Sequence, residues 1–418
     1  MIEHVRVKVS AWLVWAAVAS LLLAACSAGE PSAHDSAAAT PSNTCAPTEG
    51  VGESSIQIGV VFPQSGPAAA VFDNFGVAAQ LRADEINRKG GINGRQVRLR
   101  MYDDRNDAAV QRQIGQQLLA DGVFGVIAAS QQQSMYPALA QAGIPVTGLP
   151  NLPPYATDLN VFGAFGAYST TYASTAASQR FKKGKARDIA VVSASTPGAR
   201  QAARGFIGTL APTHLTQAGQ THVVDLGQGS MRAVADSIKA SGATGVNVLS
   251  LVETGTALMA ALKEQRADLA MVLVNGLIDP KDVTAADGAL DGAVGAPIGT
   301  IPLQLDHREV KAYVAGMAAK GVNPYSPLAP VGYVASDLMT TGIAGAGSCP
   351  TRADFIRVLR GVTDYLGAGL LPGKVSFTPG ITPDGDPQKC TWFLTVRGES
   401  LLPDDNATCG VLVNITRE

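Results

Sequence analysis

The sequence has few of the residues that enzymes use for acid–base or metal chemistry. Of its five histidines, His214, His222 and His307 lie outside the N-terminal region, and none has a metal-ligand spacing to another histidine or cysteine. It also lacks a Gly-x-Ser-x-Gly motif, the turn that presents a nucleophilic serine. We therefore expect a protein that is not an enzyme and binds no metal or cofactor. The alternative is an enzyme, which turnover of a bound metabolite would support.

Charged and aromatic residues are also scarce, at 16% and 6% of the chain, and the formal net charge is −2. Residues 1–25 carry a net charge of +1, so the chain without them carries −3 and has no basic stripe. Nucleic-acid recognition generally needs such a stripe, so no nucleic-acid partner is expected. The abundance of alanine and glycine fits tightly packed α/β layers.

The first 25 residues have the pattern of a targeting signal. Two basic residues precede an apolar run at 11–23, which is too short to span a bilayer comfortably. The next residues, Leu23-Ala-Ala-Cys26, resemble the bacterial lipobox, in which cleavage before the cysteine leaves diacylglycerol on its sulfur. An ordinary signal peptide or a short anchor is the alternative. The predicted location is extracytoplasmic, with a lipid on Cys26 anchoring the protein to the bacterial cell membrane.

An apolar segment, a turn, a helical pattern and a second apolar segment follow. Residues 56–62 are mostly β-branched or aromatic, as in a strand buried on both faces. A turn cluster at 64–67 leads to a helical pattern over 74–89. Gly90-Gly91 then predicts the helix end, because glycine adopts the left-handed cap conformation. The apolar run at 97–102 completes a βαβ unit, which builds parallel sheets.

This region also resembles a known family. The segments IGVVFPQSGP (58–67), ADEIN (83–87) and GGINGRQVRLRMYDD (90–104) look like the opening of branched-chain amino-acid-type substrate-binding proteins. These are the type I periplasmic binding proteins of ABC transporters. The run from Gly90 to Arg95 followed by Asp103-Asp104 is the most specific part, and the resemblance extends over roughly residues 54–398.

The remaining chain repeats the alternation of apolar segments and helical patterns, including a helix predicted over 168–181. Two successive runs of this kind argue for two similar lobes that face one cleft. The predicted fold is α/β, with two doubly wound parallel-sheet lobes joined by three hinge crossings. The predicted divisions are a signal peptide at 1–25, a flexible tether at 26–53, lobe one at 54–165 with 299–388, and lobe two at 166–298 with 389–418.

Candidate ligand-binding residues in lobe one lie where predicted strands end, since ligands of parallel sheets sit beyond the carboxyl ends of the strands. The resemblance implies that hydroxyls and backbone N–H groups there hold a ligand carboxylate, which favours Ser130 and Thr147. It also places an aromatic side chain that closes over the ligand at Phe72. The alternatives are that the hydroxyls cap helices and that Phe72 belongs to the core. The candidates are Ser65, Phe72, Ser130, Gln131, Ser134 and Thr147.

Lobe two contributes Ser195, Thr196, Glu253 and Asp279, which also follow predicted strands. A ligand ammonium group needs a carboxylate partner in a dry cleft, so Glu253 and Asp279 are the candidates for that role. Each has an alternative as a helix cap or a solvated charge. The Thr196-Pro-Gly198 turn departs from the family's Tyr-Gly at this position.

The pattern predicts that the protein traps a small polar ligand, amino-acid-like or related, and delivers it to an ABC permease. A ligand sensor of the same fold that signals to a membrane partner is the alternative. A permease-dependent uptake defect on deletion would separate the two. We expect a monomer.

With Cys26 assigned to lipid, an even number of cysteines remains for an oxidising compartment: Cys45, Cys349, Cys390 and Cys409. Four cysteines allow three pairings, and the sequence alone does not choose. The topology that the resemblance implies brings Cys45 and Cys349 to the end of lobe one away from the cleft, with Cys390 near the hinge. Because the Cα atoms of a disulfide lie within about 7 Å, this favours Cys45–Cys349 and Cys390–Cys409.

Overall fold

The computed structural model describes residues 45–225 and 231–416. The predicted signal peptide, Cys26 and the part of the predicted tether up to residue 44 lie outside these residues. Within the two described ranges, no helix is long and apolar enough to cross a membrane.

The first lobe is built on a five-stranded parallel sheet with the strand order β2-β1-β3-β4-β5. The strands are β1 (Ser55–Phe62), β2 (Gln96–Asp103), β3 (Gly125–Ala128), β4 (Val146–Gly148) and β5 (Val161–Gly163). The helices of this segment are α1 (Phe75–Arg88), α2 (Ala108–Ala120), α3 (Tyr136–Gln141) and α4 (Pro154–Thr157). Most of β1 is buried, as the continuous apolar segment predicts.

Helix α1 ends at the predicted glycine pair. The N–H of Gly91 donates to the carbonyl of Ile86, and Gly91 has a φ of +76°. A Cβ at this position would lie 2.0 Å from the backbone oxygen of Arg95. Only glycine therefore fits this turn, which places β2 beside β1.

The second segment supplies β6 (Tyr172–Ser174), β7 (Asp188–Ala194), β8 (Thr216–Gln217), β9 (His222–Val224), β10 (Gly245–Leu249), β11 (Met271–Asn275) and β12 (Val294–Ala296). Its helices are α5 (Ala176–Lys183), α6 (Pro197–Gly208), α7 (Arg232–Ala240), α8 (Val252–Glu264) and α9 (Pro280–Ala285). The predicted helix over 168–181 was wrong in its first half, because β6 there pairs with a strand near the end of the chain.

The last segment contains α10 (Arg308–Ala319), α11 (Ala329–Gly345), α12 (Arg352–Leu359), β13 (Cys390–Thr391), β14 (Leu394–Arg397), β15 (Ser400–Pro403), β16 (Thr408–Cys409) and β17 (Leu412–Asn414). Helix α11 is buried along most of its length and packs on α1 and on the first sheet. The core of lobe one lies between this sheet and helices α1, α10 and α11.

The second lobe is built on a sheet with the order β15-β14-β12-β11-β10-β7-β8, in which β9 also pairs with β7. Strands β7 to β12 run parallel, whereas β14 joins antiparallel to β12. The chain therefore passes between the two sheets three times: after β5, after β12 and before β14. We propose the lobe boundaries 54–165 with 299–388 and 166–298 with 389–418, with lobe one extended at its start by residues 45–53. The membership of the strands supports this division.

Part of the predicted tether is attached to lobe one. The carbonyl of Gly50 accepts from the N–H of Gln57 in β1, and Val51 forms β-bridges with Thr48 and Ile56. Gly50 has a φ of +77°, and a Cβ there would lie 2.1 Å from the backbone nitrogen of Phe124. Residues 45–53 are thus part of the folded lobe, and the prediction of a tether as far as residue 53 was too long.

Both favoured disulfides are present in the structure. Cys45 is bonded to Cys349, just beyond the end of α11, and their Cα atoms are 5.2 Å apart. Cys390 is bonded to Cys409, which joins β13 to β16. The first bond fixes the start of the folded chain to lobe one, and the second holds the C-terminal strands next to the third crossing.

Candidate ligand-binding cleft

The cleft is defined by the loops that follow the parallel strands, and we call these segments the cleft loops. They comprise residues 63–74, 104–107, 129–135 and 149–153 in lobe one and residues 195–196, 225, 250–251 and 276–279 in lobe two, whereas residues 297–300 after β12 belong to the second crossing. The carboxyl ends of parallel strands meet at one edge of each sheet, where doubly wound folds bind their ligands.

The loop after β1 is held by the last residue of β2. The carboxylate of Asp103 accepts hydrogen bonds from the hydroxyl of Ser65 and from the backbone N–H groups of Gln64, Ser65 and Arg105. Partial burial raises the pKa of the Asp103 carboxyl, but these hydrogen bonds outweigh it and hold that pKa below its ordinary value. Ser65 is exposed at the cleft edge, but its proton is directed to Asp103.

Ser130 has a similar internal partner at the end of β3. Its side chain is buried, and its hydroxyl donates to the carboxylate of Asp104, which is fully buried. The same Asp104 carboxylate accepts from the side-chain amide of Gln111 and from the N–H of Asn106. Ser130 also accepts from the N–H of Gln132. The structure therefore uses Ser130 to organise the loop, whereas the neighbouring Gln131 and Ser134 are half-buried in it.

Thr147 and Phe72, two of the predicted ligand-binding residues, are buried in lobe one in the structure. The hydroxyl of Thr147 donates to the carbonyl of Ala335 at 2.8 Å, and Thr147 is fully buried. This occurs because the side chain of Thr147 lies on the face of β4 that α11 covers. Phe72 is 1% exposed and packs in the core of lobe one.

In lobe two, two of the predicted residues cap helices. The hydroxyl of Thr196 accepts from the N–H of Ala199 at the start of α6, next to the half-buried Ser195. The carboxylate of Asp279 accepts from the N–H of Lys281 at the start of α9. Glu253 lies in the first turn of α8 with an exposed side chain, so it can reach solvent or a ligand.

Asp279 also makes a contact that the sequence did not reveal. Its second oxygen accepts from the side-chain amide of Asn323, which lies in lobe one between α10 and α11. A second bond between the lobes joins the side-chain amide of Gln304 to the carbonyl of Ile278 at 2.7 Å. Asp279 thus caps α9 with one oxygen and joins the lobes with the other. The turn-rich Asn323-Pro-Tyr-Ser-Pro sequence indicated only a loop.

The edge of lobe two next to this contact is electrostatically negative. Burial, together with the charges of Asp279 and Glu253, raises the pKa of Asp282 to about 6. Burial is the larger cause of this raised pKa, and the charges of Asp279 and Glu253 add to it. Glu253 is the predicted ligand residue in this region whose side chain is exposed.

A cavity of about 190 Å³ lies apart from the strand-end polar groups, at the crossings between the lobes. Each crossing contributes to its wall through Phe165, Thr300 and Gln388, and Cys390 also lines it. We call it the hinge cavity. Within the described residues, no group of three or more histidine, cysteine or carboxylate side chains could hold a metal ion.

Two parallel-sheet lobes, three crossings and a cleft at the strand ends define a two-lobed solute-binding protein. The model of the periplasmic binding protein family matches residues 55–400, so the chain belongs to that family. Its members bind small-molecule ligands outside the cytoplasm and work with ABC transporters. A relative from Rhizobium johnstonii, the Leu/Ile/Val-binding protein BraC3, is 26% identical over 306 residues, which cover 70% of this chain and 80% of the relative.

Solved structures share the fold. A branched-chain amino acid ABC transporter protein from Thermus thermophilus with bound valine superposes with a TM-score of 0.71 at 12% identity, covering 86% of this chain and 98% of its own. A fatty acid ABC transporter substrate-binding protein from Thermomonospora curvata has a TM-score of 0.69 at 15% identity, with coverages of 88% and 95%. At these identities the likeness shows the fold alone.

Proposed function

We propose that this chain is a lipid-anchored binding protein that captures a small polar solute between its two lobes and delivers it to an ABC permease. The observation that carries the proposal is the pair of hydrogen bonds between the lobes at the edge of the cleft, Asn323 to Asp279 and Gln304 to Ile278. These contacts can form only when the lobes approach each other. Closure around a ligand would bury it and give the permease one state to recognise.

An uptake measurement tests the delivery role. Deletion of the protein should abolish high-affinity import of its solute, and expression of the chain should restore import only when the permease is present. Normal import in the deletion strain, with a changed transcriptional response to the solute, would favour the sensor alternative.

The contact between the lobes gives a prediction for Asn323→Ala. The variant loses a hydrogen bond to a charged group, which is worth about 1.5–3 kcal/mol, and we expect at least the lower value, about tenfold in apparent ligand affinity. Isothermal titration calorimetry measures the change. Asn414→Ala, in β17, is the matched control and should leave the affinity unchanged. Equal affinities for the two variants would contradict a role for Asn323 in closure.

The anchor is tested at Cys26, which directly follows Leu-Ala-Ala at the end of the apolar run. We expect Cys26→Ser to abolish metabolic lipid labelling and to leave the protein unprocessed or released from the membrane fraction. Because the lipid is the predicted membrane attachment and its acyl chains are sufficient for it, we expect nearly complete loss of lipid labelling in the variant. Undiminished labelling of the variant would show that the lipid is attached at another residue.

A further inference from the structure

The hydroxyl groups predicted to hold a ligand carboxylate have no proton left for one. A hydroxyl has a single proton to donate, and the structure commits that of Ser65 to Asp103, that of Ser130 to Asp104 and that of Thr147 to the carbonyl of Ala335. The loop after β4 also contains Pro150, which has no N–H group. These three hydroxyls therefore do not supply hydrogen-bond donors for an anion.

The two aspartates that accept these protons add a second obstacle. Asp103 and Asp104 lie directly behind Ser65 and Ser130, so an anion that contacted either hydroxyl would also approach a carboxylate. The anion and the nearby carboxylate would repel each other strongly in a cleft that excludes water. The arrangement therefore disfavours an anionic group at the edge of lobe one.

Apart from Arg105, the charged side chains of the cleft loops are acidic. Among the described residues of the cleft loops, Arg105 is the one basic residue. Its side chain is 67% exposed, and its guanidinium lies 4.0 Å from Asp103. In lobe two, the exposed Glu253 faces no basic residue within the cleft loops. The acidic residues of the cleft loops are Asp73, Asp104, Asp107, Asp225 and Asp279.

From these positions we propose that the cleft takes a donor-rich solute without a free carboxylate or other anionic group, such as an amine, an amide or a polyol. The proposal rests on the proposed function and names the ligand class of the same cleft. The carboxylate of Glu253 and the amide of Gln131 supply hydrogen-bonding partners that suit such a solute. A free amino acid would bring a carboxylate that these groups cannot neutralise.

Matched pairs of compounds test the ligand class. Wild-type protein, unfolded and refolded to remove any bound solute, is titrated by calorimetry with leucine and leucinamide and with benzoate and benzamide. Small molecules released from the freshly purified protein are identified in parallel by mass spectrometry. We expect the amide of a pair to bind at least tenfold more tightly than its acid, or the released molecule to carry no acidic group.

The outcomes separate the two proposals. An acid that binds as tightly as its amide, or a released molecule with a free carboxylate, would overturn the ligand class while supporting solute binding. If no compound binds and no small molecule is released, the proposed function fails and the ligand class fails with it. If none of the four compounds binds but a small molecule is released, a released molecule without an acidic group supports the ligand class, and one with an acidic group overturns it.

Asp104→Asn gives an independent readout. The substitution keeps the shape of the side chain, removes its charge and allows the new amide to donate to Ser130, which frees the serine proton. We expect the affinity for leucine to rise by at least tenfold relative to that for leucinamide, with the exposed Asp405→Asn as the control. An unchanged ratio in the folded variant would contradict the role given to Asp104. Should Asp104→Asn fail to fold, the wild-type comparison still decides the proposal.

Discussion

Replacing Cys45 and Cys349 together with serine is expected to lower the free energy of unfolding by roughly 5 kcal/mol. The bond joins residues 304 positions apart, so its loss releases a very long closed loop in the unfolded chain. In the chain-entropy model the stabilisation grows with the logarithm of loop length, and loops of this size give about 5 kcal/mol. Chemical unfolding in urea, followed by circular dichroism, measures the change.

The second disulfide provides the matched control. Cys390 and Cys409 are 19 positions apart, for which the same model gives about 3 kcal/mol. Replacing this pair with serine should therefore destabilise the protein less than replacing the first pair. The reverse order would show that native packing around β13 and β16, rather than loop length, dominates.

Arg360→Leu should produce a loss of up to about 3–5 kcal/mol, because it breaks a buried ion pair and leaves the carboxyl of Asp384 buried without its partner. Burial raises the pKa of Asp384 to about 7 even beside Arg360, so uptake of a proton by Asp384 limits the loss at low pH. The Arg360 guanidinium lies 2.7 Å from Asp384, which is 3% exposed, and 4.2 Å from the ring centroid of Phe162. It also donates to the carbonyls of Leu159 and Val161 at the start of β5. Thermal and urea unfolding both measure the effect.

An exposed arginine gives the contrast. Arg308 pairs with Glu309 at 2.9 Å, but its side chain is 92% exposed, and surface pairs of this kind contribute about 0–1 kcal/mol. Arg308→Leu should therefore change stability by less than 1 kcal/mol. A similar loss in both variants would mean that burial of the Arg360–Asp384 pair is not the cause.

The parallel-sheet architecture was predictable because local patterns determine it. The apolar segment of β1, the glycine stop after α1 and the second apolar segment of β2 are all contiguous in the chain. Hydrophobic periodicity and turn chemistry identify such units without knowledge of distant contacts. The two disulfides could be favoured because the resemblance supplied the topology that places each cysteine.

The details of the cleft were not predictable, because they depend on partners far away in the sequence. The hydroxyl of Thr147 bonds to Ala335, which is 188 positions away, and no local pattern indicates which face of β4 will be covered. The sequence offers Asp279 as a helix cap, and it caps α9 in the structure. Its hydrogen bond to Asn323, by contrast, forms only when the two lobes meet. Strand β6 likewise depends on β17 at the end of the chain.

A crystal structure of the protein with the solute that co-purifies with it would show directly whether the cleft captures a solute. We expect electron density for the solute between the cleft loops, in contact with residues of both lobes, and the Asn323–Asp279 hydrogen bond intact. Density in the hinge cavity instead, or on one lobe with the lobes apart, would contradict capture of a solute in the cleft.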